Sequence, residues 1–225
     1  IFVNPSQFGP NEDFDNYPRV FEEDCERLKE VGVQVLFYPD SETIYPDGAD
    51  EMMQISIPKL SKEFCGRTRP HFFDGVCQVV CRLLVLIKPN QLFLGEKDFQ
   101  QTCIIRQMLK HLDSPVELTV CPIQREASGL AMSSRNRYFS KEQLKKAAKV
   151  YQALTLISTL EGPDLSIEKG IHLVKEELPA KEGFSLDYFA FVTESCESVR
   201  VLSEASRLLI AVYLEGVRLI DTKAL

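Results

Sequence analysis

Leu94-Gly95-Glu96-Lys97-Asp98-Phe99-Gln100-Gln101 is the stretch on which the reading of the fold turns. The apolar run before it, Gln91-Leu92-Phe93-Leu94, predicts a buried strand that Gly95 breaks. From Glu96 on, apolar residues fall at 99, 103, 105, 108, 109 and 112, the spacing of an amphipathic helix. A strand that passes through glycine into a helix aims backbone N–H groups and the positive end of a dipole at one point. Lys97 adds a mobile positive charge there, which makes the segment a candidate phosphate site; a solvated helix start is the plain alternative. Lys97 and Gln101 lie four apart on one helix face, where a charge and an amide can grip one ligand.

Working outward, the flanking segments predict an α/β layout. Ile1-Phe2-Val3 reads as half of a buried strand ending in the turn signal Asn4-Pro5, and its place at the chain start implies a segment before Ile1. Pro18 opens a helix with apolar positions at 21, 25 and 28 that closes near Gly32. Val33 to Phe37 is a near-continuous apolar run, as in a parallel strand covered on both faces. After the loop Tyr45-Pro46-Asp47-Gly48 come a candidate strand at Met53–Ile57 and a short helix near Leu60. Apolar residues at 72, 76, 79, 80, 83, 84 and 87 predict a strongly buried helix over Phe72–Ile87. Val116–Cys121 follows the 96–112 helix as another strand.

This alternation predicts a Rossmann-like, doubly wound parallel sheet over residues 1–122, with its first strand and helix missing. Residues 123–225 predict a small C-terminal α+β domain, a lid. Its elements are helices at Lys141–Leu160 and Leu165–Leu178 and strands at Leu186–Val192, Leu208–Leu214 and Val217–Ile220. Glu215-Gly216 signals a tight hairpin between the last two.

Composition narrows the function classes. Apolar content of 44% with 26% charged residues over 225 residues is ordinary for a globular chain. A net charge of −7, from 26 basic and 33 acidic residues, argues against a general nucleic-acid or membrane-surface role. No run of about 18 apolar residues supplies a transmembrane helix. The seven cysteines form no CxxC pair, and Cys25, Cys77, Cys81, Cys103 and Cys121 sit in apolar patterns. They read as core thiols in a reducing cytosol rather than disulfides or zinc ligands.

Two further segments join Gly95–Gln101 as candidates. Gly129-Leu130-Ala131-Met132-Ser133-Ser134-Arg135-Asn136-Arg137 packs two hydroxyls and two guanidinium groups into one loop, and the planar fork of arginine suits phosphate oxygens. Its plain alternative is a solvated hinge. In Asn4-Pro5-Ser6-Gln7-Phe8-Gly9, the amide of Gln7 can hold a hydroxyl and a carboxylate, or simply be solvated. His111 and His172 read as surface residues, and His71 alone lies near the expected cleft. No catalytic triad or metal-ligand spacing is visible.

These segments, in this order, resemble the pantothenate synthetase (pantoate–β-alanine ligase) family of the nucleotidyltransferase superfamily. The resemblance rests on Ile1-Phe2-Val3-Asn4-Pro5 with Gln7-Phe8-Gly9, Tyr17-Pro18-Arg19, Tyr45-Pro46-Asp47-Gly48, Gly95-Glu96-Lys97-Asp98 with Gln100-Gln101, and Gly129 to Arg137. It covers residues 1 to about 140 closely and the rest loosely.

The resemblance implies a cytoplasmic, homodimeric enzyme that joins pantoate to β-alanine through a pantoyl adenylate, with ATP and Mg²⁺. It places Gly95, Glu96, Lys97, Asp98, the Gln124 backbone, Met132, Ser133, Ser134 and Arg135 on ATP. Lys97, Ser133 and Arg135 are its catalytic residues. Gln7 and Gln101 would hold pantoate, with Gln7 also near β-alanine, and Asn4 and Tyr17 would line the cleft. Residues that would hold a metal are not identified.

There are two departures from the family. Its His-x-Gly-His element, expected upstream of Ile1, is absent, so the chain as given is expected to be inactive. Where the family reads Arg-Pro-Gly-His-Phe, this chain has Arg69-Pro70-His71-Phe72-Phe73, which turns the histidine by about 100° on a helix. The alternatives are another small-molecule nucleotidyltransferase and a nucleotide-binding chain without catalysis.

Overall fold

Hydrophobic periodicity places most of the helices. In the computed structural model, which describes residues 1–10, 12–160 and 165–225, the chain forms two bodies: residues 1–56 with 71–88, and residues 57–70 with 89–225. In chain order the helices are α1 (Phe21–Glu30), the single-turn helices α2 (Ser41–Ile44), α3 (Pro58–Ser61) and α4 (Cys65–Thr68), α5 (Phe72–Ile87), α6 (Phe99–His111), α7 (Lys141–Ala147), α8 (Lys149–Ser158) and α9 (Ile167–Glu177). The strands are β1 (Gln91–Gly95), β2 (Glu117–Cys121), β3 (Phe184–Val192), β4 (Ser198–Val199), β5 (Arg207–Leu214) and β6 (Val217–Ala224).

The first body is organised by Asn4. Its buried side chain donates from Nδ2 to the Gly75 carbonyl (3.2 Å), while its Oδ1 accepts from the Tyr45 hydroxyl (2.8 Å) and from Ser6 Oγ (2.9 Å). A buried amide is tolerated because both its ends are satisfied. Gly75 on α5 lets the Pro5–Gln7 turn sit against that helix, since a Cβ there would lie 2.4 Å from the Ser6 carbonyl oxygen. Ile44, Tyr45 and Val79 form the small core, with Phe2, Met52 and Leu83 around it. Three predicted strands are not formed: Ile1–Val3, Val33–Phe37 and Met53–Ile57 are irregular, and Val35 is 85% exposed. An extended apolar run becomes a strand only when a neighbour takes its backbone groups. Here the Ile1 amino group reaches the Phe37 carbonyl (2.5 Å), but no ladder follows. Helix α5 keeps its predicted bounds, but of the apolar positions expected inside only Val76 and Val79 are buried, and its last turn, Val85 to Ile87, is exposed.

The second body carries two sheets. β1 and β2 pair in parallel from Gln91↔Glu117 to Gly95↔Cys121, joined by α6. The antiparallel sheet runs β4-β3-β5-β6. Its buried face meets α8 and α9 in a core that includes Leu154, Ile157, Val174, Phe191, Leu208 and Ile210. Gly170 permits the close approach of α9, because a Cβ there would lie 2.9 Å from the Phe189 ring. The β5–β6 hairpin turns through Glu215 (φ 49°) and Gly216 (φ 86°), the two left-handed residues of a type I′ turn. The predicted helix at 141–160 is divided at Ala148 into α7 and α8. Ser140 starts α7 with a capping box to Gln143, and Ser166 caps α9. The two-residue strand β4 has too little pattern to be read from sequence. Of the seven free thiols, Cys65, Cys77, Cys103 and Cys196 are buried. Cys121, expected in the core, is exposed at the end of β2.

Candidate active site

The opening segment is built differently from its sequence reading. Gly95 does not break the strand but ends it, with ordinary φ (−79°) and open space where a Cβ would point. Neither backbone conformation nor packing within the chain requires glycine there. What its lack of a side chain leaves is room for another molecule to approach the backbone. Glu96–Asp98 forms a 3₁₀ turn, and α6 begins only at Phe99, with no side chain capping its N-terminus. The first N–H groups of the helix are therefore not claimed by a cap.

Within this segment the side chains divide the work. Glu96 accepts from Arg207 on β5 (2.7 Å), whose guanidinium also lies over the Phe99 ring (4.4 Å). Arg207 is largely buried, and its Nε has no partner among the described residues. Lys97, Asp98 and Gln101 make no hydrogen bond or ion pair with any described residue. The anchor is thus Glu96, and the cation and amide beside it stay unengaged among the described residues.

The second segment is a tight hairpin. Glu126 N donates to the Leu130 carbonyl (2.8 Å) and Met132 N to the Gln124 carbonyl (2.9 Å). Gly129 at φ +89° closes it, 2.4 Å from the Tyr151 ring as measured from an added Cβ. Arg125 fastens the hairpin to β6: Nη1 and Nη2 bind both carboxylate oxygens of buried Asp221 (2.7 and 2.9 Å), and Nη1 also donates to the Gly129 carbonyl (3.0 Å). The Arg125 guanidinium stacks 3.9 Å from the Tyr151 ring centroid. Beyond the hairpin, Met132 is half exposed, and Ser133 Oγ accepts from Arg135 N (3.3 Å) to start the 3₁₀ turn Ser134–Tyr138.

Both segments pack on one strand. The Glu96–Asp98 turn and the Ser134–Tyr138 turn each lie against β6. The structure therefore brings Gly95–Asp98 and Ser133–Arg135 to one support within the second body. Gln101 follows on the first turn of α6, and Gln124 is exposed at the base of the hairpin. Gln7, half-buried in the Pro5–Gln7 turn, belongs to the first body, as do Asn4, Tyr17 (edge-on to Phe8, 5.6 Å) and exposed His71 at the start of α5. His111 and His172 are both exposed.

Arg207, Arg125 and Asp221 were not singled out by sequence. A carboxylate inside Leu219-Ile220-Asp221 and an arginine opening Arg207-Leu208-Leu209-Ile210 were the available signals, since charges in buried strands are seldom unpaired.

The family model described as pantoate-beta-alanine ligase matches residues 1–224. The chain belongs to the pantoate–β-alanine ligase family. It is 42% identical over 223 residues to a pantothenate synthetase of Caldicellulosiruptor bescii, covering 98% of this chain and 78% of that protein. With the Thermotoga petrophila pantothenate synthetase it shares 40% over 230 residues, covering 100% and 80%. The crystal structure of pantothenate synthetase from Thermus thermophilus matches with a TM-score of 0.88 at 38% identity, over 100% of this chain and 81% of that one. The ligase from Francisella tularensis, in a complex with β,γ-ATP and β-alanine, matches at 0.81 and 34%, over 100% and 77%. Membership of the pantoate–β-alanine ligases decides against the reading as another nucleotidyltransferase. It also agrees with the mixed α/β fold, a parallel sheet beside a separate antiparallel one.

Proposed function

We infer that the protein is an ATP-dependent ligase that forms pantothenate from pantoate and β-alanine. The observation that carries this is the pairing of two phosphate-suited segments on β6, one with open backbone at Gly95 and an unengaged Lys97, the other with Ser133, Ser134 and Arg135. Family membership names the substrates.

In this reading the carboxylate of pantoate attacks the α-phosphorus of ATP, and pyrophosphate leaves. The amine of β-alanine then attacks the acyl carbon of the adenylate and releases AMP. Lys97, Ser133 and Arg135 offset charge that builds on phosphate oxygens, acting from fixed positions rather than from reorganising water. Gly95, Glu96, Asp98, the Gln124 backbone, Met132 and Ser134 complete the ATP contacts. Gln101 and Gln7 orient pantoate, with Gln7 also at β-alanine. The described residues contain no cluster of three or more metal ligands. Mg²⁺ on ATP needs few protein ligands, and Asp98 is the unengaged carboxylate beside Lys97. Residues 1–122 serve nucleotide binding and 123–225 act as the lid, in a cytoplasmic homodimer.

Replacing Lys97 tests the reading. Lys97→Ala is expected to lower pantoate-dependent exchange of pyrophosphate into ATP by about 100-fold or more, as for loss of one charge-stabilising group. Exchange at the wild-type rate would remove Lys97 from the phosphate site.

A further inference from the structure

The first turn of α6 is held by a side chain that the candidate site does not use. Gln100 is buried, 4% exposed, and its amide is bonded to one short segment of the second body. Nε2 donates to the Leu60 carbonyl (2.8 Å) and to the Glu63 carbonyl (2.7 Å), and Oε1 accepts from Cys65 N (3.1 Å). Both donors of the amide are therefore spent, with one of its acceptor positions. The Cys65 N–H opens the single-turn helix α4, so without Gln100 it would be an orphan donor in a buried place.

What the amide encloses is strained. Between the Glu63 carbonyl and the Cys65 N–H the chain passes through Phe64 at φ 48° and ψ −113°, a backbone that residues with a side chain rarely adopt. Such a conformation persists only where its surroundings over-determine it. Here Gln100 grips the peptide groups on both sides of Phe64, and the buried Phe64 ring packs against Tyr188 on β3, with centroids 5.8 Å apart. The Cys65 thiol reaches the hydroxyl of the same tyrosine (3.1 Å). The segment is thus fastened to the antiparallel sheet, and through Gln100 it holds α6.

The place of Gln100 in the helix gives that clasp its consequence. Successive residues of a helix are turned by about 100°. Phe99, one place before, is buried under the Arg207 guanidinium, 4.4 Å from its ring centroid. Thr102 and Cys103 are buried as well, and Thr102 Oγ1 donates to the Phe99 carbonyl (2.7 Å). From Phe99 to Cys103, Gln101 alone is not buried, and its side-chain amide is unengaged among the described residues. We propose that Gln100 is a positioning residue: by clasping the strained turn at Phe64 it sets the rotation of α6, and so the direction in which Gln101 meets pantoate. This rests on the reading of Gln101 as a pantoate ligand. Gln100 itself has no donor left for a substrate, and acts only through its neighbour.

Calorimetric titration of the protein with pantoate and, separately, with ATP reads the two affinities, and urea unfolding reads stability. Gln100→Met, close in size but without the amide, is expected to weaken pantoate binding about tenfold, as for loss of one hydrogen bond to a charged ligand, and to leave ATP binding within about twofold. Gln101→Ala is expected to weaken pantoate binding at least as much. Combining the two should weaken it no further than Gln101→Ala alone, because one residue acts through the other. Lower stability with both affinities unchanged would make Gln100 a purely structural residue and overturn the proposal, as would additive effects in the double variant. Should Gln100→Met fail to fold, Gln100→Glu keeps the acceptor for Cys65 N while losing both donations, and the same pattern is expected of it. Unchanged pantoate affinity in Gln101→Ala would instead overturn the reading of Gln101, and the positioning role with it.

Discussion

The Glu96–Asp98 turn and the 124–137 hairpin lie against the same strand, yet an arginine holds each in a different way. At the hairpin, Arg125 makes a two-pronged bond to Asp221, whose side chain is 3% exposed, and stacks on Tyr151. At the turn, Arg207 makes a single bond to Glu96, whose side chain is 28% exposed. The hairpin is thus fixed by desolvated charges that cannot part without a large penalty, whereas the turn is held at one point beside residues left unengaged. Their glycines differ likewise. Gly129 is demanded by φ and by Tyr151, while Gly95 is demanded by nothing within the chain. Rigidity at a support and open space beside a backbone are separate requirements, and they fall on separate residues.

Breaking the tighter anchor should cost most. Asp221→Ala leaves the Arg125 charge without its partner and is expected to lower stability by about 3 kcal/mol, read from urea unfolding. Adding Arg125→Met should recover part of that loss, because the stranded charge goes too; no recovery would mean that the ion pair is not the source. Gly129→Ala comes next, at about 2 kcal/mol, from a left-handed backbone and a clash with the Tyr151 ring. A thermal midpoint unchanged from wild type would show that the hairpin adapts without strain. Glu96→Gln, at the looser anchor, should cost about 1 kcal/mol, since the amide still accepts a hydrogen bond while the counter-charge of Arg207 is lost. A loss as large as that of Asp221→Ala would erase the contrast between the anchors. Gly95→Ala should change stability by less than about 0.5 kcal/mol, yet raise the KM for ATP, because the added methyl meets no atom of the chain and projects where nucleotide is expected. Unchanged KM would separate Gly95 from the nucleotide.

Much of this was legible in the chain. Helix α5 spans its predicted bounds, Phe72–Ile87, and the Glu215-Gly216 turn signal stands between β5 and β6. These features rest on neighbours within a turn or two, which is the range over which side-chain pattern speaks. Val33–Phe37 shows the opposite case. It has the apolar run of a parallel strand, but a strand is a pairing, and no ladder forms along it. Gln91–Gly95, no more apolar, became β1 because Glu117–Cys121 pairs with it along its whole length.

The candidate site divides along the same line. Gly95, Lys97, Gln101 and the Ser133–Arg135 run are local clusters of chemically suited groups, and they could be named from the sequence. Arg207, Arg125 and Asp221 could not, because each is a lone charge whose partner lies about a hundred residues away. Local residue types settled which groups can meet a phosphate. Folding settled which charges are buried together, and so which of those groups are anchors and which stay open, because only folding sets the distances and solvent exclusion that decide the worth of a charge.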